Sequence, residues 1–310
     1  HFISRGLNAI TNNTVRFILS DSLGNIWIGT LRGLNFYPIS ARMAGQTDYQ
    51  HFLVNEEFTA GIAAGKEIWF GTRRNGVIIY SLAEKKFERD TILPGKMEIT
   101  VLVKGKTGHI AIGTGSDGLF LIHPSDRRVM HFNLMGRRIT RIYEDRQGMF
   151  WVNTNKFGVT RIDPGSGILR TYTLTPPDIQ PLIDDERQYF YEDSKGNLWI
   201  GLHGGGLALY DRSSDQFCFF RNNPVDPKTI SSNFVHCITE DKSGLLWVGT
   251  GQSNGGINKV IPANNSFRHI IPKIQINDIS ENVIRCIFQD SNNKIWVATN
   301  PGSLIVHEKI

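Results

Sequence analysis

A ten-residue phrase recurs along this chain and constrains its fold more than any other feature. In its first copy, residues 21–30, it reads DSLGNIWIGT: a tight turn, a short apolar strand with one tryptophan, and a closing Gly-Thr. All six tryptophans of the chain occupy the same slot, which Ala111 fills in one degraded copy. The other copies are residues 66–72, 106–114, 145–154, 193–202, 241–250 and 290–299. The chain therefore contains seven repeats, two of them degraded.

Each repeat supplies four short apolar segments, which are rich in β-branched and aromatic residues and separated by Gly, Pro, Asn and Asp. Such segments are typical of strands, and no comparable window shows the 3.6-residue period of an amphipathic helix. The tryptophan slot recurs every 40–49 residues, a spacing typical of four-stranded propeller blades. We predict an all-β, seven-bladed β-propeller with four-stranded antiparallel blades at residues 15–54, 58–93, 98–133, 138–174, 187–221, 234–271 and 283–310.

The phrase has a physical explanation. An Asp side chain accepts hydrogen bonds from backbone N–H groups two residues on, and Gly takes the positive φ that closes a bulged hairpin. The first two strands of each repeat are therefore expected to form a hairpin. The large, flat tryptophan on the second strand is expected to fill the wedge between neighbouring sheets, because one sheet cannot bury both of its faces alone.

The two ends of the chain suggest how the ring closes. The seventh repeat stops after its third strand, and residues 1–4 (HFIS) resemble fourth strands such as residues 129–133 (VMHFN). We expect residues 1–5 to form the outer strand of the last blade, which leaves no exposed sheet edge there. Seven repeats in 310 residues leave no room for a second domain, so residues 1–310 are expected to form a single propeller.

Composition and charge exclude several classes of protein. Hydrophobic residues make up 40% of the chain, enough for a well-buried core, and no run approaches the ~18 apolar residues of a membrane span. No signal peptide is visible at the amino terminus. The net charge of +5 comes from scattered Lys and Arg rather than from a basic run, so nucleic-acid binding is not expected.

Three cysteines, Cys218, Cys237 and Cys286, form an odd set without metal-ligand spacing. Cys237 and Cys286 both lie four residues before a turn Asp. Side chains at equivalent positions of successive blades have the same orientation within their blades, so these two do not face each other. Their Cα atoms are therefore expected to lie beyond the ~7 Å limit for a disulfide. Buried free thiols are the expected state of all three.

Ligand contacts are expected on the face of the ring that carries the second-to-third and fourth-to-first loops. The residue five places before the turn Asp forms a further polar ring, which suggests a wet funnel mouth: Arg16, Thr140, Gln188, His236 and Arg285, completed by Thr100 and Ala60. These groups either bind a ligand or simply hydrogen-bond water and neighbouring loops. The candidate ligand-binding residues are Arg16, Arg32, Arg73, Arg74, Asn75, Lys156, Gln188, His203, His236, Asn254 and Arg285.

Several short sequence motifs resemble catalytic or ligand-binding loops but lack the context that such loops require. Residues 203–206 (HGGG) resemble a lipase oxyanion loop, but no G-x-S-x-G elbow accompanies them. Residues 113–118 (GTGSDG) resemble a phosphate loop, but a strand rather than a helix follows them. The three adjacent acids at 184–186 lack the alternating spacing of a calcium loop. We predict no catalytic residue, no metal ligand and no cofactor.

The repeat consensus resembles that of a known family. The pattern V-x-x-I-x-x-D-x-x-G-x-ϕ-W-ϕ-G-T-x-x-G-L, where ϕ is apolar, is represented by residues 15–34, and residues 235–257 match most of it. It is similar to the two-component regulator propeller repeat, which builds extracytoplasmic sensor regions of hybrid two-component systems, chiefly in carbohydrate-degrading gut bacteria. Five copies are close. The second is shortened before Trp69 and the third lacks both Trp and Asp, so these two blades are expected to be the least regular.

The resemblance implies a periplasmic sensor that responds to glycan fragments and signals through a transmembrane helix to a cytoplasmic histidine kinase. Family members usually carry two propellers and a small β-sandwich before the membrane span, so this chain is expected to be a fragment of a longer protein. The expected partners are an oligosaccharide ligand, the second propeller and sandwich of the same polypeptide, and a second copy in a homodimer. No nucleic acid or direct membrane contact is expected, and the resemblance transfers no binding residue.

Three functions remain open from the sequence. The first is the non-catalytic sensor module that the resemblance implies. The second is a propeller polysaccharide lyase or glycoside hydrolase, for which Asp117, Asp178, Asp184, His203 and His236 are the only candidates. The third is a surface or secretion-associated propeller that uses the same repeats for protein contacts.

Overall fold

The computed structural model describes residues 9–46, 48–89, 93–123, 125–134, 138–155, 158–174, 188–252, 255–261, 266–270, 283–300 and 304–307. Within these ranges the chain forms seven antiparallel sheets, one for each repeat, in which consecutive strands are neighbours. The first strand pairs with the second in every repeat, so the predicted hairpins are confirmed.

The strands follow the repeats in order. The first three sheets contain β1 (Val15–Ser20), β2 (Ile26–Thr30), β3 (Gly33–Tyr37) and β4 (Gln50–Phe52); β5 (Phe58–Ala64), β6 (Glu67–Thr72), β7 (Val77–Ser81) and β8 (Lys86–Arg89); and β9 (Ile99–Lys104), β10 (Ile110–Thr114), β11 (Leu119–Ile122) and β12 (Val129–Phe132). A short helix, α1 (Ile39–Met43), lies between β3 and β4.

The remaining repeats contain fifteen strands within the described ranges. These are β13 (Ile139–Glu144), β14 (Phe150–Thr154), β15 (Val159–Ile162) and β16 (Leu169–Tyr172); β17 (Tyr189–Glu192), β18 (Leu198–Leu202), β19 (Gly206–Asp211) and β20 (Gln216–Phe220); β21 (Phe234–Glu240), β22 (Leu246–Gly251), β23 (Ile257–Ile261) and β24 (Ser266–Ile270); and β25 (Val283–Gln289), β26 (Ile295–Asn300) and β27 (Leu304–His307).

The chain divides into two compact units. The first consists of His1–Glu144, Gly148–Thr154 and Ile162–Leu169, and the second of Asp145–Gln147, Asn155–Arg161 and Arg170–Ile310. Sheets one to three lie in the first unit, and sheets five to seven lie in the second. The seventh sheet has three strands in the described part of the chain, and the predicted closing strand, residues 1–5, lies outside that part.

The recurring Asp organises each close copy of the turn. Oδ1 of Asp21 accepts the backbone N–H groups of Leu23 at 3.0 Å and Asn25 at 2.9 Å, and Oδ2 accepts the indole Nε1–H of Trp27 at 3.0 Å. We call this arrangement the Asp–Trp clamp. It recurs in three other repeats, with indole bonds Trp199–Asp193 at 2.9 Å, Trp247–Asp241 at 2.8 Å and Trp296–Asp290 at 2.9 Å. The turn bonds were predicted, whereas the indole bond was not.

The clamp also sets the electrostatics of the turn. The hydrogen bond from the Trp296 indole, together with the backbone N–H of Lys294, lowers the pKa of Asp290 below its usual value. Both donors favour the carboxylate over the neutral acid, which is why the shift is downward. The motif therefore needs an ionised Asp six residues before the tryptophan.

Trp27 fills the wedge between two neighbouring sheets, as predicted. Trp27 is fully buried, and its ring lies 4.5 Å from that of Phe36 in its own sheet. On its other side it contacts rings of the second sheet, with centroid distances of 5.5 Å to Phe70 and 4.8 Å to Tyr80. Aromatic pairs at these separations add to the free energy gained from burial of apolar surface.

The two degraded repeats compensate for their missing clamp. In the second repeat, the indole of Trp69 donates to Glu67 at 3.0 Å instead of to an Asp. In the third, Gly105 occupies the Asp slot, and a Cβ there would lie only 2.3 Å from Oε2 of Glu144. Glu144 thus takes the place of the missing carboxylate and accepts the backbone N–H of Thr107 at 3.0 Å. Both sheets have four paired strands, like the close copies whose fourth strand is described.

Glu144 belongs to a recurring set of contacts between successive repeats. The last residue of the first strand, just before the Asp slot, accepts a backbone N–H from the turn of the preceding repeat. We call this the latch position. The contacts are Thr107 to Glu144 at 3.0 Å, Arg146 to Glu192 at 2.9 Å, Ser194 to Glu240 at 2.6 Å and Lys242 to Gln289 at 2.8 Å. In the third repeat, Lys104 occupies the latch position.

Candidate functional site

The polar ring predicted five places before the turn Asp coincides with a β-bulge. In the first sheet, Val15 pairs with Thr30 and Phe17 with Gly29, so that Arg16 is the extra residue. The same register shift isolates Thr100, Thr140, His236 and Arg285 in their sheets. Bulges redirect side chains at strand ends and are frequent beside functional sites. These five predicted positions therefore share one local geometry, whereas Gln188 lies just before its strand and outside any such bulge.

The ring member predicted for the second repeat is wrong. The extra residue there is Thr59, because Phe58 pairs with Thr72 and Ala60 pairs with Gly71. The second repeat has no turn Asp from which to count, so the slot was displaced by one residue. The Thr59 hydroxyl donates to the backbone carbonyl of Ile99 at 2.6 Å, which connects the second and third sheets.

The candidate residues of the first unit differ in whether their side chains form hydrogen bonds or ion pairs. Arg73 forms an ion pair with Glu57 at 2.9 Å, and its hydrogen bond to that carboxylate raises the pKa of the guanidinium. The amide of Asn75 donates to Glu56 at 2.7 Å. Three further candidates, Arg16, Arg32 and Arg74, are exposed, and the described part of the chain offers their side chains no hydrogen bond or ion pair.

The candidates of the second unit include a histidine pair. The rings of His203 and His236 lie 5.8 Å apart, and Phe234 lies 4.9 Å from His203 with its ring edge-on. His236 lies against the backbone of Gly251, where an added Cβ would come within 2.3 Å of its Nε2. His203 and Phe234 also form an isolated β-bridge. Backbone pairing therefore brings together two candidates from different repeats.

The other candidates are dispersed. Gln188 is buried, with 1% of its surface exposed, just before β17. Arg285 is exposed at its bulge in β25, and its side chain makes no hydrogen bond or ion pair to the described residues. The remaining two, Lys156 and Asn254, lie outside the described residues, as do Asp178 and Asp184 of the enzyme alternative.

The cysteine prediction is only partly correct. All three thiols are free, but only Cys237 is buried; Cys218 and Cys286 are exposed. Cys237 packs in an apolar cluster with Ile284 of the seventh sheet, whereas Cys218 lies on the outer strand β20. Burial, followed by the nearby Cys286 thiol, raises the pKa of Cys237 to about 12. Cys237 and Cys286 therefore occupy equivalent positions in their repeats but differ in solvent exposure.

The described residues contain no cluster of three His, Cys, Asp or Glu side chains able to hold a metal ion. They also contain no helix that is both long enough and apolar enough to cross a membrane. Among the described candidates, exposed guanidinium groups and two adjacent imidazoles are the ionisable groups. These groups bind hydroxyl and anionic groups and exchange protons.

Sequence reasoning missed two cavities of about 470 Å³ each. One lies in the first unit, between the second and third sheets at the ends where their turns lie, and is lined by Lys66, Trp69, Lys104 and Arg127 among others. The other lies in the second unit against β20 and β24, with Arg221, Asp226 and Lys228 in its lining. The sequence signals of the first cavity are the shortened second repeat and the lysine at the latch position.

Comparison with known proteins identifies the family that the repeats resemble. The two-component regulator propeller family matches residues 9–32, 133–156, 181–204, 229–252 and 278–300. Each match covers the first part of one close repeat, and neither degraded repeat is matched. The first halves of these five repeats are therefore similar to the two-component regulator propeller repeat. No curated protein matches the chain.

Solved structures share the fold at low sequence identity. The extracellular domain of a putative hybrid two-component system from B. thetaiotaomicron is 22% identical with a TM-score of 0.59, and the match covers 94% of this chain and 39% of that one. A streptogramin B lyase is 15% identical with a TM-score of 0.58, covering 96% and 95% of the two chains. A virginiamycin B lyase from Staphylococcus aureus, solved with quinupristin, is 14% identical with a TM-score of 0.58, covering 94% and 93%. Together with the seven sheets, these likenesses establish the fold class as a seven-bladed β-propeller.

Proposed function

We propose that this chain is a non-catalytic, extracytoplasmic sensor module of a hybrid two-component receptor and that it responds to glycan-derived oligosaccharides. The observation that carries the proposal is the family match in five of the seven repeats. The receptor, the kinase and the membrane anchor would be supplied by polypeptide beyond this chain, which spans 39% of the extracellular domain that it resembles.

The repeat residues indicate where ligand contacts would come from. The Asp and Trp of the phrase are engaged with each other and with the turn, as in Asp21 and Trp27, so the phrase itself is structural. Ligand contacts would then come from side chains outside the phrase. The exposed Arg16, Arg32 and Arg74 offer donors that suit hydroxyl-rich or acidic sugars.

Calorimetry of the whole chain against neutral and acidic oligosaccharides tests the proposal. We expect saturable binding, weakened about tenfold by Arg74→Ala, because a hydrogen bond to a charged group contributes about 1.5–3 kcal/mol. Arg89→Ala is the matched control, since Arg89 is also exposed but lies on the outer strand of the same sheet. If none of the oligosaccharides binds, a scaffolding role explains the chain better than ligand sensing does.

A second candidate function, a polysaccharide lyase, is favoured by the histidine pair. Two adjacent imidazoles, with ring centroids 5.8 Å apart, can present a proton acceptor and a proton donor to the same side of one substrate. Turnover of pectic or glycosaminoglycan substrates that is abolished by His236→Ala, and retained by His51→Ala on the exposed strand β4, would establish the enzyme and overturn the sensor proposal.

A further inference from the structure

The cavity of the first unit combines an apolar floor with a cationic rim. Its volume of about 470 Å³ lies within the ~300–1,000 Å³ typical of ligand pockets. Trp69, Ile110 and Ile122 form the floor, and all three are buried. The charged groups of the rim are Lys66, Glu67, Lys104 and Arg127, with His123 beside them.

The rim carries an excess of positive charge. Glu67 is its one carboxylate, and it already accepts the Trp69 indole at 3.0 Å and a guanidinium N–H of Arg127. The side chains of Lys66 and Lys104 are exposed, and no described residue forms a hydrogen bond or ion pair with them. The cavity therefore presents two uncompensated ammonium groups to whatever enters it, which favours an anion.

The side chain of Arg127 covers the aromatic part of the floor. The guanidinium of Arg127 lies over the Trp69 ring at 5.5 Å, and only 1% of the Trp69 surface is exposed. Arg127 belongs to an exposed turn between β11 and β12. A flat ligand with an apolar face can therefore lie beside Arg127 against Ile110 and Ile122, or displace the guanidinium and stack on the indole.

The cavity exists because these two repeats depart from the common pattern. The turn of the second repeat is shortened to Gly65 and Lys66, so no Asp-centred turn projects toward the third sheet. The latch residue that would reach back from the third sheet is Lys104, whereas four later repeats place Glu or Gln there. The third repeat therefore has a cation at the latch position, where three of the later repeats have a carboxylate that contacts the preceding turn.

We propose that this cavity is a binding site for an anionic sugar, a pyranose unit that carries a carboxylate or a sulfate ester. The ammonium groups of Lys66 and Lys104 bind the anion, and the apolar floor around Trp69 receives the less polar face of the ring. The site lies at the turn end of the sheets, away from the loops between second and third strands. It goes beyond the proposed function, because a receptor that binds its signal only at those loops would lack it.

Calorimetry with four probes tests the site: a galacturonic acid trimer, a sulfated disaccharide, neutral galactotriose and inorganic sulfate. We expect the wild-type chain to bind one of the two acidic sugars more tightly than both galactotriose and sulfate ion. Lys104→Glu should weaken that binding at least tenfold, and Lys104→Met should weaken it by a smaller factor, because charge-assisted hydrogen bonds are lost in both. Lys86→Met, an exposed lysine of the same unit outside the cavity, should leave it unchanged.

Three outcomes would overturn the site. They are no binding of either acidic sugar, acidic-sugar binding that Lys104→Glu leaves intact, and sulfate ion binding as tightly as the sugars. Thermal unfolding of each variant verifies that the exposed Lys104 can be changed without loss of the fold. Failure here leaves the loop-face proposal standing, since that proposal is tested by Arg74→Ala and does not require an acidic ligand.

Discussion

Replacing Arg212 by Met is expected to destabilise the chain by about 3 kcal/mol, because it removes the guanidinium that two buried carboxylates share and leaves Glu192 with the backbone N–H of Arg146. The Arg212 guanidinium binds Asp145 at 3.0 Å and Glu192 at 3.1 Å, and these two side chains are 0% and 1% exposed. It also donates to the side-chain carbonyl of Gln147 at 2.8 Å. Removal of one partner from a buried ion pair leaves uncompensated charge, which costs far more than the loss of an exposed pair.

Urea denaturation of the Arg212→Met variant measures this effect. Arg268→Met provides the control, since Arg268 is an exposed arginine of the same unit, and changes at such sites usually stay within about 0.5 kcal/mol. Equal midpoints for the two variants would show that the Arg212 network does not stabilise the fold.

Trp27→Ala is expected to cost about 3–5 kcal/mol, the range observed when a large aromatic residue is removed from a core. Trp27 is fully buried and lies among rings of two sheets, including Phe36 and Tyr80. The residual cavity would be lined by rigid rings that cannot collapse to fill it.

Trp296→Ala is the matched comparison for this prediction. Trp296 occupies the same slot and donates the same indole bond, to Asp290 at 2.9 Å, but it is only partly buried. Trp296→Ala should therefore lower the free energy of unfolding, measured by heat or urea, clearly less than Trp27→Ala does. Similar losses would mean that the indole hydrogen bond, rather than burial between sheets, is what the tryptophan slot contributes.

The fold was predictable because the repeat phrase encodes local structure. The Asp turn and the tryptophan wedge follow from side-chain geometry alone, and both are present around Asp21 and Trp27. The indole bond was not predicted, because the phrase does not show that a side chain six residues on returns to the same carboxylate. Helix α1 was also missed, because its five residues carry no cap and no period.

The candidate site was less predictable, because it depends on register and on contacts between repeats. Counting from the turn Asp located the bulges at Arg16 and His236, but it failed at Ala60, where no Asp fixes the count. The cavity beside Lys104 was missed for a related reason. A lysine at the end of a strand is ordinary by itself, and only the latch contacts of other repeats make it significant.

The central claim is that this propeller binds oligosaccharides without transforming them. The most direct measurement is one experiment with two readouts, in which calorimetry of the whole chain with neutral and acidic oligosaccharides is followed by chromatography of the same mixtures. The account predicts saturable heats of binding and sugars recovered unchanged. Cleaved or unsaturated products that disappear with His236→Ala would contradict it.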